Sequence, residues 1–117
     1  MKIYYLIVLA VFLAFNTPAQ AQLGGGFEGP GLSTTTAAEA AKMADNTPVV
    51  LVGNIEKSIG DEKYLFRDKS GTIVIEIDDD DWRGLTVKPE HTVEIKGEVD
   101  KEVFQNAIID VDVISIK

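Results

Sequence analysis

The chain has no cysteine. Disulfides, thiolate metal sites and cysteine nucleophiles are therefore excluded. It has one histidine, His91, so no two-histidine metal motif can be built. Positive charge is scarce, with 11 Lys and Arg against 19 Asp and Glu and a net charge of -8. Nucleic-acid backbones are held by clusters of Lys and Arg, so a nucleic-acid partner is disfavoured. At 117 residues the chain has room for one small domain beyond any targeting segment. Without disulfides, such a domain must be held by its hydrophobic core alone.

The first 21 residues read as a secretory signal peptide. Met1-Lys2 is a short positive start, and Ile3 to Phe15 is an uncharged apolar run. Asn16-Thr17-Pro18 breaks the run, and Ala19-Gln20-Ala21 is an A-x-A cleavage site. The run is shorter than the ~18–20 apolar residues that span a bilayer as a helix. An uncleaved N-terminal anchor is the alternative reading. No cysteine follows the run, which excludes a lipoprotein anchor. The expected product is exported, soluble and more acidic still, because Lys2 leaves with the signal. It keeps no stable membrane anchor after cleavage.

Residues 22–35 form a flexible leader by composition. Gly24, Gly25, Gly26, Gly29, Pro30 and Gly31 dominate it, and Phe27 and Leu32 stand among them. The domain is expected over residues 36–117. Thr36 to Ala44 predicts a short helix: Thr36 and Glu39 make a T-x-x-E capping box, and the alanines favour helix. So short a helix must dock to persist.

From Pro48 onward the period changes to two. Strands are predicted over Val49–Ser58, Tyr64–Asp68, Thr72–Asp78, Thr92–Asp100 and Ala107–Ile116. Gly60-Asp61-Glu62 and Asp68-Lys69-Ser70-Gly71 read as hairpin turns. Gly53 inside the first strand suggests a bend or bulge. The apolar step Val113-Ile114 suggests a bulge that swaps faces near the end. Asp79 to Gly84 interrupts the strands as a helical turn or loop. Five short antiparallel strands with a break after the third predict an all-β fold: a small five-stranded OB-fold barrel with a short N-terminal α-helix. An open five-stranded sheet under one helix is the alternative.

A family resemblance rests on several segments in order. They are Gly25-Gly26-Phe27-Glu28-Gly29-Pro30, Val52-Gly53-Asn54-Ile55, Tyr64-Leu65-Phe66-Arg67-Asp68 and Ser70-Gly71-Thr72. Ile77-Asp78, Trp82, Gly84 and the stretch Thr92 to Lys101 follow. Together they resemble the bacterial OB-fold (BOF) family of periplasmic stress-tolerance proteins, over essentially the whole mature chain. The resemblance implies a periplasmic location, no enzymatic activity, and a small-molecule or peptide ligand in place of nucleic acid. One departure stands out. Asp78 to Asp81 directly precede Trp82, where the family's usual residues are basic.

Asp78, Asp79, Asp80 and Asp81 are the densest charge in the chain. They fit either a cation or Lys/Arg-rich peptide site, or a solvated turn whose first carboxylate caps it. An EF-hand is excluded, because Arg83 and Pro89 occupy the positions that need glycine and glutamate. Trp82 is either a stacking platform at the barrel mouth or a core plug. Tyr64 and Phe66 are in phase and predicted inward. The outer face of strands two and three then holds Lys63, Leu65, Arg67, Thr72, Val74 and Glu76, with no aromatic to stack a base. Leu65 and Val74 are placed under the helix, and His91 is expected exposed.

These readings converge on a binding module without cofactor, metal or catalytic residues. Arg67, Glu76, Asp78 to Asp81 and Trp82 are the candidate ligand residues. The expected partner is a cationic peptide or small envelope ligand, drawn in by the acidic surface. A regulatory module that binds an envelope enzyme or cell-wall fragment, with Phe27 of the leader as its contact, is the second hypothesis. A hydrolase would need a carboxylate of raised pKa in a deep pocket.

Overall fold

A computed structural model describes Phe27 and residues 31–117. The expected signal peptide and most of the Gly-rich leader lie outside the described residues. Leu32–Lys117 forms one compact unit.

The elements of that unit are a helix α1 (Ala37–Ala40), strands β1 (Pro48–Gly60), β2 (Lys63–Asp68) and β3 (Gly71–Glu76), a 3-10 turn (Asp79–Trp82), then β4 (Val93–Asp100) and β5 (Ile108–Ile116). The strands close into a barrel in the order β1-β2-β3-β5-β4. The open-sheet alternative is thereby removed. Four of the seams are antiparallel, but β3 and β5 pair in parallel. The expectation of five antiparallel strands is corrected at that seam. The β4–β5 pair folds back as a unit, and its second strand arrives beside β3 running the same way.

Alternation along each strand supplies the core. Leu51, Phe66, Ile75, Ile77, Val93, Ile95 and Ile109 are wholly buried. Phe66 is the largest of them, and its burial alone is worth about 1.5–3 kcal/mol. β1 serves two partners. Residues 48–53 pair with β4 and residues 54–60 with β2. Gly53 sits at the handover, where a Cβ would lie 2.3 Å from the Arg67 carbonyl oxygen and 2.7 Å from the Phe66 ring. Close approach therefore demands glycine there, and the bulge itself comes slightly later, between Ile55 and Lys57. The face swap in β5 is present as expected. Lys96 opposes Val113 while Gly97 opposes Val111, which leaves Asp112 as the extra residue. Val113 turns outward and Ile114 inward.

α1 is shorter than the expected Thr36–Ala44. Asn46 N–H donates to Val99 O at 2.7 Å and Val99 N–H to Thr47 O at 2.9 Å, so the chain must leave the helical path early. What remains is held by its N-terminal end. Ala37 N–H donates to Asp68 Oδ2 at 2.7 Å, Ala38 N–H to Ser70 Oγ at 2.9 Å, and Glu39 N–H to Thr36 Oγ1 at 3.1 Å. The β2–β3 turn thus caps the helix from outside, and Ala37 and Ala40 dock on the barrel. Thr34 bridges Val50 in parallel, and Thr35 N–H donates to Val50 O at 2.7 Å.

Candidate functional site

The 3-10 turn is built from outside. Asp79 N–H donates to Glu62 Oε2 at 2.7 Å, and Ile77 N–H to Glu62 O at 2.9 Å. Glu62 lies in the tight β1–β2 turn, where Asp61 and Glu62 both take left-handed backbone. Asp78 does not cap with its side chain, so that part of the solvated-turn reading is corrected. Its backbone carbonyl accepts from Asp81 N–H at 2.9 Å instead. Arg83 and Gly84 are left-handed, which reverses the chain after Trp82. Leu85 N–H then donates to Trp82 O at 2.9 Å.

This reversal folds Trp82, Leu85 and Val87 over the β1–β2 end of the barrel. All three are half-buried and packed on the core. Trp82 meets Tyr64 edge to face, with ring centroids 5.4 Å apart and planes at 82°. Such a pair adds about 0.5–1.5 kcal/mol beyond area burial. A cleft of ≈ 400 Å³ lies between them and β1. Its walls are mostly apolar: Ile55, Tyr64, Trp82, Leu85 and Val87, with Glu56, Lys57 and Thr86 among the polar lining residues. Trp82 therefore both covers the core and presents a face to the cleft.

The expected site residues fall in three places. Trp82 lines the cleft, and Asp78 to Asp81 lie on the turn that carries it. None of the four aspartates is in an ion pair among the described residues. No group of three Asp, Glu or His side chains converges there as a metal-ligand set. Arg67 lies on another hollow, of ≈ 520 Å³, with Thr34, Asn54 and Ser70, and is ion-paired with Glu56. Glu56 also borders the Trp82 cleft, so Arg67 touches that site only through its partner. Glu76 lines a third hollow, of ≈ 280 Å³, with Asp100 and Glu102, and its Oε2 lies 3.5 Å from Lys63 Nζ.

Other expectations resolve residue by residue. Phe66 points inward and is wholly buried, while Tyr64 is half-buried beside Trp82. Leu65 and Val74 are half-buried and line a groove together with Ala41, the C-cap residue of α1. His91 is half-buried where exposure was expected. Its Nδ1 accepts from Lys88 N–H at 3.0 Å, and Asn54 Nδ2 donates to the carbonyls of Pro89 and His91 at 3.0 Å each. Those bonds fix the connector that forms one wall of the cleft. Sequence reasoning missed Leu85 and Val87 as site residues. The only signal was their alternation after Gly84.

Comparison with known proteins supports the same fold. The family described as "Bacterial OB fold (BOF) protein" matches residues 14–116. Protein YgiW of Escherichia coli (strain K12) is 48% identical over 108 residues, covering 81% of this chain and 83% of its own length. The calcium-regulated OB-fold protein CarO of Pseudomonas aeruginosa is 37% identical over 118 residues, covering 99% of this chain and 98% of its own. The solved structure of the E. coli ygiW protein superposes with a TM-score of 0.71, covering 80% of this chain and 99% of that one. Asparaginyl-tRNA synthetase from Pyrococcus horikoshii superposes at 0.56 with 16% identity, over 74% of this chain and 23% of the synthetase, which is a likeness of fold alone. With a closed five-stranded barrel, a family match across most of its length and relatives this similar, the chain belongs to the bacterial OB-fold (BOF) family.

Proposed function

We propose that this protein is a non-enzymatic, exported binding module that contributes to envelope stress tolerance in the periplasm. Its ligand is cationic and partly apolar, such as a Lys/Arg-bearing peptide or a small amine, and it binds in the Trp82 cleft. One observation carries this reading. A mostly apolar cleft with an indole wall lies on the same turn as four aspartates that have no cationic partner among the described residues. Apolar walls hold a hydrocarbon or aromatic portion, and the carboxylates draw and orient the positive end. The net charge of -8 extends that attraction over the surface.

An amide-shift titration with a Lys/Arg-rich peptide tests it, at low salt and again at high salt. Shifts at Ile55, Tyr64, Trp82 and Leu85 that persist in salt support a specific site. Scattered shifts that vanish with salt refute it and leave the acidic surface a solubility feature. The second reading, a protein partner held by the leader, has one observation in its favour: Phe27 is 82% exposed. Deleting residues 22–33 abolishes a leader contact and leaves binding in the cleft intact.

A further inference from the structure

The barrel is closed unevenly. The β1–β2, β1–β4, β2–β3 and β4–β5 seams hold five, six, six and eight residue pairs in register. The β3–β5 seam holds two, Ile75 with Ile109 and Glu76 with Asp110. It is also the parallel seam, and parallel pairing is slightly less stable per residue.

The same short seam lies under a row of like charge. Asp110 of β5 stands opposite Glu76 on one side and opposite Glu98 of β4 on the other. The row Glu76–Asp110–Glu98 therefore crosses three strands. Asp78 lies two residues past the end of β3, Asp100 ends β4, and Asp112 lies in β5. Like charges directly opposite one another destabilise a sheet. On the cationic side, Lys63 of β2 reaches Glu76 at 3.5 Å, while Lys96 of β4 lies 3.8 Å from Glu94. Asp110 has no ion pair among the described residues. Beneath the row, Ile75, Ile77 and Ile109 are wholly buried. Apolar contact closes the seam from inside while charge loosens it from outside.

We propose that the β3–β5 seam is a proton-controlled closure of the barrel, in which the ionised Asp110, standing between Glu76 and Glu98, lets the seam open locally and proton uptake at Asp110 tightens it. The state of Asp110 agrees. Partial burial raises its carboxyl above the ordinary 3.8, and the charges of Asp112, Glu76, Asp78 and Asp100 raise it further. The sign follows from linkage. A carboxyl raised in the folded state takes its proton more readily there than in the unfolded chain. Seam stability is thus gained as pH falls from that raised value towards 3.8 and is lost as pH climbs back. Asp110 remains in contact with water, so added salt screens part of the repulsion and acts in the same direction as protons.

Native-state amide exchange, corrected for intrinsic rates, tests the closure on the whole protein. The seam amides of Glu76 and Ile109, whose N–H groups face across β3–β5, are compared with Leu51 and Ile95 in the β1–β4 seam. Between neutral pH and about pH 4, protection at the seam rises about two- to fivefold more than at β1–β4. Asp110→Asn raises seam protection at neutral pH and removes most of that pH dependence. Glu76→Gln does so in part, because it also frees Lys63. Glu90→Gln, in the connector, leaves the wild-type behaviour. The proposal is overturned if both seams gain protection in parallel, or if Asp110→Asn keeps the full pH dependence.

Discussion

Replacing Asp68 with alanine tests how a four-residue helix survives on this barrel. The Asp68 carboxylate accepts from Ala37 N–H at 2.7 Å, from Ser70 N–H at 2.8 Å and from Ser70 Oγ at 2.6 Å. Ser70 is exposed, so its two donors find water when the carboxylate is gone. Ala37 is wholly buried, so its N–H is left without a partner. An orphaned buried donor costs about 1–3 kcal/mol, and loss of a helix cap costs about 0.5–2 kcal/mol. The two describe the same lost bond from two sides, so the expected destabilisation is about 2 kcal/mol. For a domain of this size that lowers Tm by roughly 8–16 °C, measured by thermal and urea unfolding at neutral pH. Asp68→Asn keeps an acceptor and recovers about half of the loss. The pH dependence gives a second check. Burial raises the Asp68 carboxyl, but hydrogen bonds from the Ser70 hydroxyl and from the Ala37, Ser70 and Gly71 backbone N–H groups outweigh it and hold the group below 3.8. Its stabilisation is therefore present above pH 3.8 and lost as pH falls through the lower folded value. The gap between wild type and Asp68→Ala is constant near neutrality and narrows in strong acid. A neutral-pH loss under about 0.5 kcal/mol, or a gap that does not narrow, refutes the capping role.

Four further outcomes follow from the same geometry. Gly97→Ala places a Cβ 2.0 Å from the Asp110 carbonyl oxygen, so the β4–β5 bulge must shift at a cost of about 1–3 kcal/mol, read by urea unfolding. Phe66→Ala empties the largest fully buried site and costs about 3–5 kcal/mol in the same assay. Phe104 is fully exposed and left-handed at φ 64°, so Phe104→Gly relieves strain and raises stability by about 0.5 kcal/mol; a loss of that size contradicts the strain. Trp82→Ala abolishes the salt-resistant peptide shifts at Ile55 and Tyr64 while the far-UV circular dichroism stays that of a β-barrel, and unchanged shifts move the site elsewhere.

The candidate site was only half legible in the chain. Trp82 and the aspartates before it stand out by composition, since indole and dense charge are rare in this sequence. Leu85, Val87, Ile55 and Tyr64 carry no such mark. They reach one cleft because Arg83 and Gly84 reverse the chain, and because Asn54 ties down the connector at Pro89 and His91. Arg67 and Glu76 share one face of β2 and β3 in the alternation, yet they line different hollows. Register places Arg67 opposite Thr72 and Glu76 opposite Lys63, at opposite ends of the β2–β3 ladder.

Local pattern determined the strands, the two hairpin turns, the inward phase of Phe66 and the bulge near Val113. Each depends on neighbours a few residues apart, where period two, turn residues and a doubled apolar step act directly on the backbone. The tertiary structure decided what depends on distant partners. It set the length of α1, through the pull of Val99 on Asn46 and Thr47 and the caps from Asp68 and Ser70. It made the β3–β5 seam parallel and short, because closure must bring the returning β5 beside β3. It also placed Glu76, Asp110 and Glu98 in one row, a meeting of three strands that no local spacing encodes.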